Sequence, residues 1–479
     1  MQYSTHDLND TIVALATPTG IGAIGVIRLS GKEAIRICNQ VFRGKDLEQQ
    51  DSHTIHFGTI RDKENRIIDE VLASLFVGPK SYTGENTVEV SCHGSNYIIQ
   101  QLIQLFVQEG ARMAQPGEFT LRAFLNGRMD LSQAEAVADL IASSSASSHN
   151  LAMQQMRGGF SDEIQKLRQQ LLDFASLIEL ELDFSEEDVE FADRSELKKL
   201  VKTIQTYLHA LIQSFDLGNA IKHGINTVIA GRPNAGKSTL LNALLNENRA
   251  IVSEIAGTTR DTIEEVLIID GIQFRLIDTA GIREASDQIE AIGVEKTMEK
   301  ISQSALLIYV FDVIQMQPEE VRQDLAKLVQ PDMHLLVIAN KMDLNPHTKF
   351  EHYFEKIEDG GLKTEDFEFL STISPAQWVP VSALEKMNIG FLKEKLYQSV
   401  LTEQVQVDST IVSNARHFEA LNKASESLDD VLQAMDSGIT SDFVAMDIRR
   451  ALSFLGEITG EISTDDLLGN IFGKFCIGK

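Results

Sequence analysis

The stretch "INTVIAGRPNAGKSTLLNALL" (225–245) constrains the fold of this 479-residue chain more than any other. An apolar strand at 225–230 runs into Gly231-Arg-Pro-Asn-Ala-Gly236-Lys237-Ser238 and then into a helical pattern, the context a GxxxxGK[ST] phosphate loop requires. The glycines let backbone N–H groups turn inward around phosphates, and the helix N-terminus adds positive potential. The spacing predicts Lys237 on the β- and γ-phosphates and the Ser238 hydroxyl on magnesium. Strand and helix patterns alternate across 218–400, as in an α/β nucleotide-binding domain of the P-loop (Ras-like) kind.

Three further stretches choose the nucleotide. "LIDTAG" places Asp278 at a strand end near magnesium, with Thr279 and Ala280 leading to Gly281, whose N–H meets the γ-phosphate. "VIANKMD" places Asn340, Lys341 and Asp343 after an apolar run. A carboxylate only accepts, so Asp343 suits the N1–H and amino donors of guanine and offers nothing to adenine's acceptor N1. "VPVSALE" adds Ser382 and Ala383, whose backbone completes a guanine pocket. "GTTRDT" (257–262) fits a first switch, with Thr259 closing the magnesium shell when GTP is present. In this order around a phosphate loop, these motifs specify a GTPase. The position after the DTAG glycine, where small GTPases commonly keep a water-orienting glutamine, holds Ile282. Catalytic help must come from elsewhere: downstream carboxylates in "REASDQIEAIG", a trans arginine, or a monovalent cation held by Asn234 and first-switch carbonyls.

Around this domain the pattern changes. Residues 1–120 read as short strands broken by turns and by the helical "NYIIQQLIQLFVQEG", an α+β domain. Helical periodicity fills 121–217 and returns in 401–479, so the 218–400 domain is expected as an insertion within a helical domain. A net charge of −27, with the run "ELELDFSEEDVEFAD" (179–193), opposes unaided nucleic-acid binding. No apolar run approaches a membrane span, and the opening "MQYSTHDLND" fits neither a secretory signal nor a transit peptide. Three scattered cysteines form neither a metal cluster nor a disulfide framework, so a cytoplasmic location is expected. Terminal Cys476-Ile477-Gly478-Lys479 has the shape of a prenylation box. Its final lysine and the non-polybasic "STDDLLGNIFGK" upstream argue against lipidation.

GRPNAGKS, GTTRD, DTAG followed by "IREASD", NKMD and the terminal FCIGK together make the chain resemble the bacterial tRNA-modification GTPase family (MnmE) over essentially its whole length. The resemblance implies a potassium-activated GTPase whose G domains dimerise across their switch faces. It implies GTP contacts at Asn234, Ala235, Gly236, Lys237, Ser238 and Thr239, and again at Ser253, Glu254, Ile255, Ala256, Gly257, Thr258 and Thr259. Magnesium would sit at Ser238 and Thr259, and potassium at Asn234, Ser253, Ile255 and Thr258. Glu290 would orient the attacking water indirectly; its plainer reading is a solvated acid.

The same likeness implies a folate-binding, dimer-forming N-terminal domain approached by the C-terminal tail. Arg28, Glu89, Arg128 and Lys479 would contact a tetrahydrofolate derivative (5,10-methylene or 5-formyl form), with Cys476 beside its one-carbon unit. Read without the likeness, Glu89 is an exposed strand residue, Arg28 a surface ion-pair partner, and Cys476 a small packing residue. The implied activity is C5 modification of the tRNA wobble uridine by a homodimer, with a flavin-dependent partner protein and transient tRNA contact, and no membrane. A ribosome-assembly GTPase is a rival reading, but it calls for a basic RNA-binding appendage that this acidic chain does not show. A regulatory switch with no chemistry beyond GTP cleavage is the other.

Overall fold

The computed structural model describes residues 9–183, 194–245, 264–278, 304–330, 333–354, 370, 372–399, 410–437, 441–462 and 465–478. Two compact units emerge: Met1–Ala142 with Ala152–Leu208 and Glu419–Lys479, and Ser143–Leu151 with His209–Phe418. The architecture is multidomain, α+β and helical in the first unit and α/β in the second.

The first unit opens with β1 (Ile12–Leu15), β2 (Ile24–Ser30), α1 (Ala34–Val41), β3 (Phe42–Arg43), β4 (Thr54–Arg61), β5 (Ile67–Phe76), β6 (Thr87–His93), α2 (Asn96–Gln108), β7 (Arg112–Met113) and α3 (Glu118–Leu125). The strands form one sheet in the order β3-β4-β5-β6-β2-β1-β7, antiparallel except for β1 with β7. Side chains alternate faces along a strand, so "IGVIRLS" buries Ile27 and Leu29 in a core with Ile37 of α1 and with Leu102 and Phe106 of α2. Arg28 therefore lies on the opposite face, and the register sets it directly across from Glu89.

The helical part of this unit comprises α4 (Leu131–Ala142), the end of α5 (Ala146–Met156) from Ala152 on, α6 (Gly159–Asp183) and α7 (Arg194–Gln213) as far as Leu208. On α7, Leu197, Val201, Ile204 and Leu208 recur at helical spacing and are fully buried, which makes the amphipathic stripe a core face.

The second unit contains α8 (Phe215–His223), β8 (Ile225–Ala230), α9 (Lys237–Leu245), β9 (Glu264–Ile269), β10 (Ile272–Asp278), β11 (Leu306–Asp312), α10 (Pro318–Leu328), β12 (His334–Asn340), α11 (Glu351–Phe354), β13 (Trp378–Pro380) and α12 (Ile389–Gln398). Its sheet runs β13-β12-β11-β8-β10-β9, parallel apart from the β9–β10 hairpin. Every residue of β11, "LLIYVFD", is buried, as expected of a strand covered on both faces. One face packs on Leu240 and Leu244 of α9 and Leu392 of α12, the other on Val321 and Leu325 of α10 and Trp378.

Strand order reverses at β8, the first strand, and ligands of such sheets bind at the carboxyl ends beside that point. The chain enters and leaves this unit side by side. Ser214 Oγ accepts the Val412 N–H at 3.0 Å, and the rings of Phe215 and Phe418 stack at 4.3 Å. Adjacent ends of this kind let a domain be inserted at little cost.

After the second unit, the chain continues through α13 (Ala415–Asp436), α14 (Ser441–Thr459) and α15 (Asp465–Phe472). Fully buried Ile448, Leu455 and Ile458 form the core stripe of α14. Arg449 on α14 pairs with Glu179 on α6 at 2.6 Å. Among the described residues no helix is long and apolar enough to cross a membrane.

Candidate functional site

The nucleotide site is built where β8 ends. Asn234 adopts a positive φ of 63°, which turns the loop toward the first turn of α9, where Ser238 and Thr239 are exposed. Lys237 Nζ folds back onto the carbonyls of Gly231 (2.8 Å) and Arg232 (3.1 Å), which holds the ammonium over the loop, where phosphate oxygens would replace those carbonyls. Arg232 points away from the loop and forks onto Asp324 of α10 at 2.8 and 3.1 Å, with Glu320 alongside. Asp324 also accepts the hydroxyl of fully buried Tyr309, whose ionisation burial pushes up. The outer side of the loop is therefore tied to α10.

Asn340 joins the phosphate loop to the base pocket. Only 2% exposed, it donates from Nδ2 to the Ala235 carbonyl at 2.8 Å and accepts the Ala383 N–H at Oδ1 at 3.0 Å. The Ser382–Ala383 loop is further pinned by the Met342 N–H, which donates to the Val381 carbonyl at 3.1 Å. Asp343 is exposed, and among the described residues no side chain pairs with it, which leaves its carboxylate for a ligand's donors. Residues predicted from three separated motifs thus converge on one mouth of the sheet.

Sequence reasoning missed Asp312. Its carboxylate, 3% exposed at the end of β11, accepts Lys341 Nζ at 2.6 Å and the Ile314 N–H at 2.8 Å. Lys341 sits at a positive φ of 68° and needs that anchor to hold its side chain along the pocket wall. Charged hydrogen bonds contribute about 1.5–3 kcal/mol, so Asp312→Ala should weaken GDP binding by roughly 10- to 150-fold in a calorimetric titration. An affinity within twofold of native would remove Asp312 from the site. An acid closing an apolar strand was the visible signal, but its partner lies 29 residues further along.

The remaining nucleotide and metal candidates fall elsewhere. Ser253, Glu254, Ile255, Ala256, Gly257, Thr258, Thr259, Thr279, Ala280, Gly281 and Glu290 lie outside the described residues, and only the backbone of Asp278 is described, as the last residue of β10. The described part fits a nucleoside triphosphate: a basic loop, an exposed Ser238 hydroxyl for a hard cation, and an uncommitted carboxylate at the base end.

A second cluster forms in the first unit. Arg28 donates to Glu89 Oε1 from Nε at 2.9 Å and from Nη2 at 2.8 Å, and its guanidinium lies over the rings of Tyr82 (5.4 Å) and Phe119 (5.6 Å). Its Nη1 donates to the Gly478 carbonyl at 3.3 Å, so the chain end is held rather than frayed. The tail is seated by fully buried Phe472, whose ring lies beside Phe124 and Phe475, and by the Gly117 N–H on the Cys476 carbonyl at 3.4 Å.

Cys476 is the exposed one of the three thiols; burial raises Cys38 to about 12 and Cys92 to about 11, which makes those two inert. Arg28 is thus both an ion-pair partner and part of a shared cluster. Exposed Arg128 follows α3 beside Gly84, and no described contact joins it to Arg28 or Glu89; Lys479 lies outside the described residues. An aromatic-walled cation with a paired acid fits a planar ring bearing both donors and anionic groups, as a folate does.

The family described as "MnmE helical domain" matches residues 131–476, and "GTP-binding protein TrmE N-terminus" matches residues 11–128. A Cytophaga hutchinsonii protein named tRNA modification GTPase MnmE is 56% identical over 470 residues, covering 98% of each chain. One of the same name from Christiangramia forsetii is 55% identical over 482 residues, covering 98% of this chain and 100% of its own. A third, from Flavobacterium psychrophilum, is 53% identical over 478 residues, covering 98% and 99%. With both family matches and identity of this extent along nearly its full length, the chain belongs to the MnmE family of tRNA modification GTPases.

Proposed function

We propose that this protein hydrolyses GTP in the service of tRNA modification, at C5 of the wobble uridine. The observation that supports this best is the pairing, in one chain, of a guanine-nucleotide pocket strutted by Asn340 with a tail held on Arg28, itself paired with Glu89. In the nucleotide pocket, Lys237 binds phosphate oxygens, Ser238 and Thr259 hold magnesium, and Asp343 selects guanine. Glu290 orients water in place of the side chain that Ile282 cannot supply. A potassium ion at Asn234, Ser253, Ile255 and Thr258 would supply positive charge beside the phosphates of a G domain paired with a second copy.

In the N-terminal domain Arg28, Glu89, Arg128 and Lys479 bind and orient a tetrahydrofolate derivative, and Cys476 lies at the reacting end. The bound folate would supply the one-carbon unit. A net charge of −27 favours tRNA contact shared with a second protein, and a flavin-dependent partner would add both RNA affinity and redox capacity.

The full-length protein should turn over GTP roughly tenfold or more faster in potassium chloride than in sodium chloride at equal ionic strength. A deletion strain carrying Cys476→Ser should lose the wobble-uridine modification that the native gene restores. Equal rates in the two salts would remove the cation from the mechanism, and full restoration by Cys476→Ser would remove the thiol.

A further inference from the structure

We infer that Asp324 is a positioning residue for GTP: through the fork of Arg232 it holds the phosphate loop in the shape that the nucleotide needs, and Tyr309 holds the acid. This rests on the nucleotide-site reading above and lies wholly within the α/β unit.

The loop "GRPNAGKS" is held by different means along its length. Gly231 leaves β8 at a φ of 151°, and a β-carbon there would stand 2.0 Å from the Val310 carbonyl, so β11 fixes the first residue from behind. Ala235 is held by the Asn340 amide at 2.8 Å. Arg232 lies between them. Its carbonyl accepts the Ala235 N–H at 3.3 Å and Lys237 Nζ at 3.1 Å. That one carbonyl closes the turn and steers the ammonium, so whatever orients Arg232 orients the groups that meet phosphate.

The Arg232 side chain supplies this orientation. Nε and Nη2 meet the two carboxylate oxygens of Asp324 at 2.8 and 3.1 Å, a bidentate fork that fixes direction as well as distance. Nη1 donates to Glu320, whose other oxygen accepts the Gln317 N–H at 2.9 Å at the start of α10. Asp324 does not depend on its helix alone. Fully buried Tyr309 donates its hydroxyl to Asp324 Oδ2 at 2.8 Å, and on β11 it stands opposite Ala230, the residue directly before the loop. The acid is thus held by the same pair of strands from which the loop departs.

Exposure decides where the effect falls. The Arg232 side chain is 39% exposed, and an ion pair this open to water adds little to stability. Losing the fork should therefore change the loop rather than the fold. A loop without it samples other shapes and has to be ordered by the incoming phosphates, a cost that appears in binding. Once bound, the phosphates order the loop themselves, which spares the chemical step.

The test uses full-length protein. Asp324→Ala should release a fluorescent GDP analogue roughly tenfold faster than native and raise KM for GTP by a similar factor, with kcat within about twofold. Its ligand-free melting temperature should stay within about 3 °C of native. Arg232→Lys, which keeps the charge and loses the fork, should match it, and Tyr309→Phe should give a smaller rise of about threefold. Arg232→Ala combined with Asp324→Ala should be no worse than either alone, because both break one contact. Release and KM within about twofold of native in Asp324→Ala overturn the inference. So does a fall in kcat at unchanged KM, the mark of fewer folded molecules, and so do additive effects in the double variant. Should Asp324→Ala fail to fold, Arg232→Lys and Tyr309→Phe decide by the same two measurements. Native protein that binds no GDP would sink the nucleotide-site reading and the anchor with it, whereas an unaffected Asp324→Ala in protein that binds GDP removes the anchor alone.

Discussion

Replacing Asn340 by Ala should lower the affinity for GDP by roughly 30-fold to 10⁴-fold, more than any other single change in the base pocket. Asn340 is 2% exposed and carries two hydrogen bonds, to the Ala235 carbonyl at 2.8 Å and from the Ala383 N–H at 3.0 Å. Truncation leaves an acceptor and a donor buried without partners, at about 1–3 kcal/mol each. The larger effect is geometric. Ala235 lies in the phosphate loop and Ala383 in the loop behind the base, so one amide fixes the distance between the two ends of the nucleotide.

Space around the amide is already used up. A β-carbon on Gly236 would stand 2.2 Å from Asn340 Nδ2, so no larger side chain on the loop can take over the strut. Equilibrium titration with a fluorescent GDP analogue measures the loss, and a melting curve of the ligand-free protein checks that the fold survives. Binding within threefold of native would show that the two loops hold their spacing without the amide.

What could be read from the sequence follows how far apart the partners lie along the chain. The phosphate loop, NKMD and VSAL were legible because each fixes its own backbone within a few residues, and an apolar strand before each one points to the same end of a parallel sheet. Alternation along "GVIRLSG" and "NTVEVSCHG" put Arg28 and Glu89 on strand faces, but their pairing depends on a β2–β6 register across 61 residues. The grip of Arg28 on Gly478 spans 450 residues, and nothing local at either end announces it. Lys341 was expected from its motif, whereas the acid that holds it was not, because a lone aspartate ending a strand is common. The serines at 144–148 fall in the 121–217 stretch read as helical, but nothing local shows that their hydroxyls cap a helix and fill the space beside a glycine 124 positions on. The chemistry was local, and the architecture that aims it was not.

Glu118→Gln should destabilise the first unit by about 3–5 kcal/mol, the usual cost of breaking a buried ion pair from one side. The Glu118 side chain is 1% exposed and that of its neighbour Arg122 is 2% exposed. Glu118 accepts from Arg122 Nη2 at 2.9 Å, from Arg112 Nη2 at 2.7 Å and from the Gln115 N–H at 2.9 Å. Arg122 is otherwise held by the Asp10 carbonyl at 2.7 Å and by Glu85 at 3.2 Å. Loss of the Glu118 charge leaves a guanidinium in the interior with half its compensation.

Burial alone would raise the Glu118 pKa, but the hydrogen bonds from Arg112, Gln115 and Arg122 outweigh it and hold the carboxyl below its ordinary value. A group depressed in the folded state stabilises fully above its unfolded pKa, about 4.3 for glutamate, and loses that contribution as pH falls through the folded value. Native protein should therefore lose stability on acidification below about pH 4.3, and Glu118→Gln should lack this part of the slope. At neutral pH the variant's first calorimetric transition should drop by roughly 6–20 °C. The consequence reaches the tail, because Glu118 opens α3 between Gly117, which holds the Cys476 carbonyl, and Phe119, which lies under Arg28. A variant that melts within 2 °C of native, taken as roughly 1 kcal/mol or less, would show that Glu85 alone compensates the buried arginine.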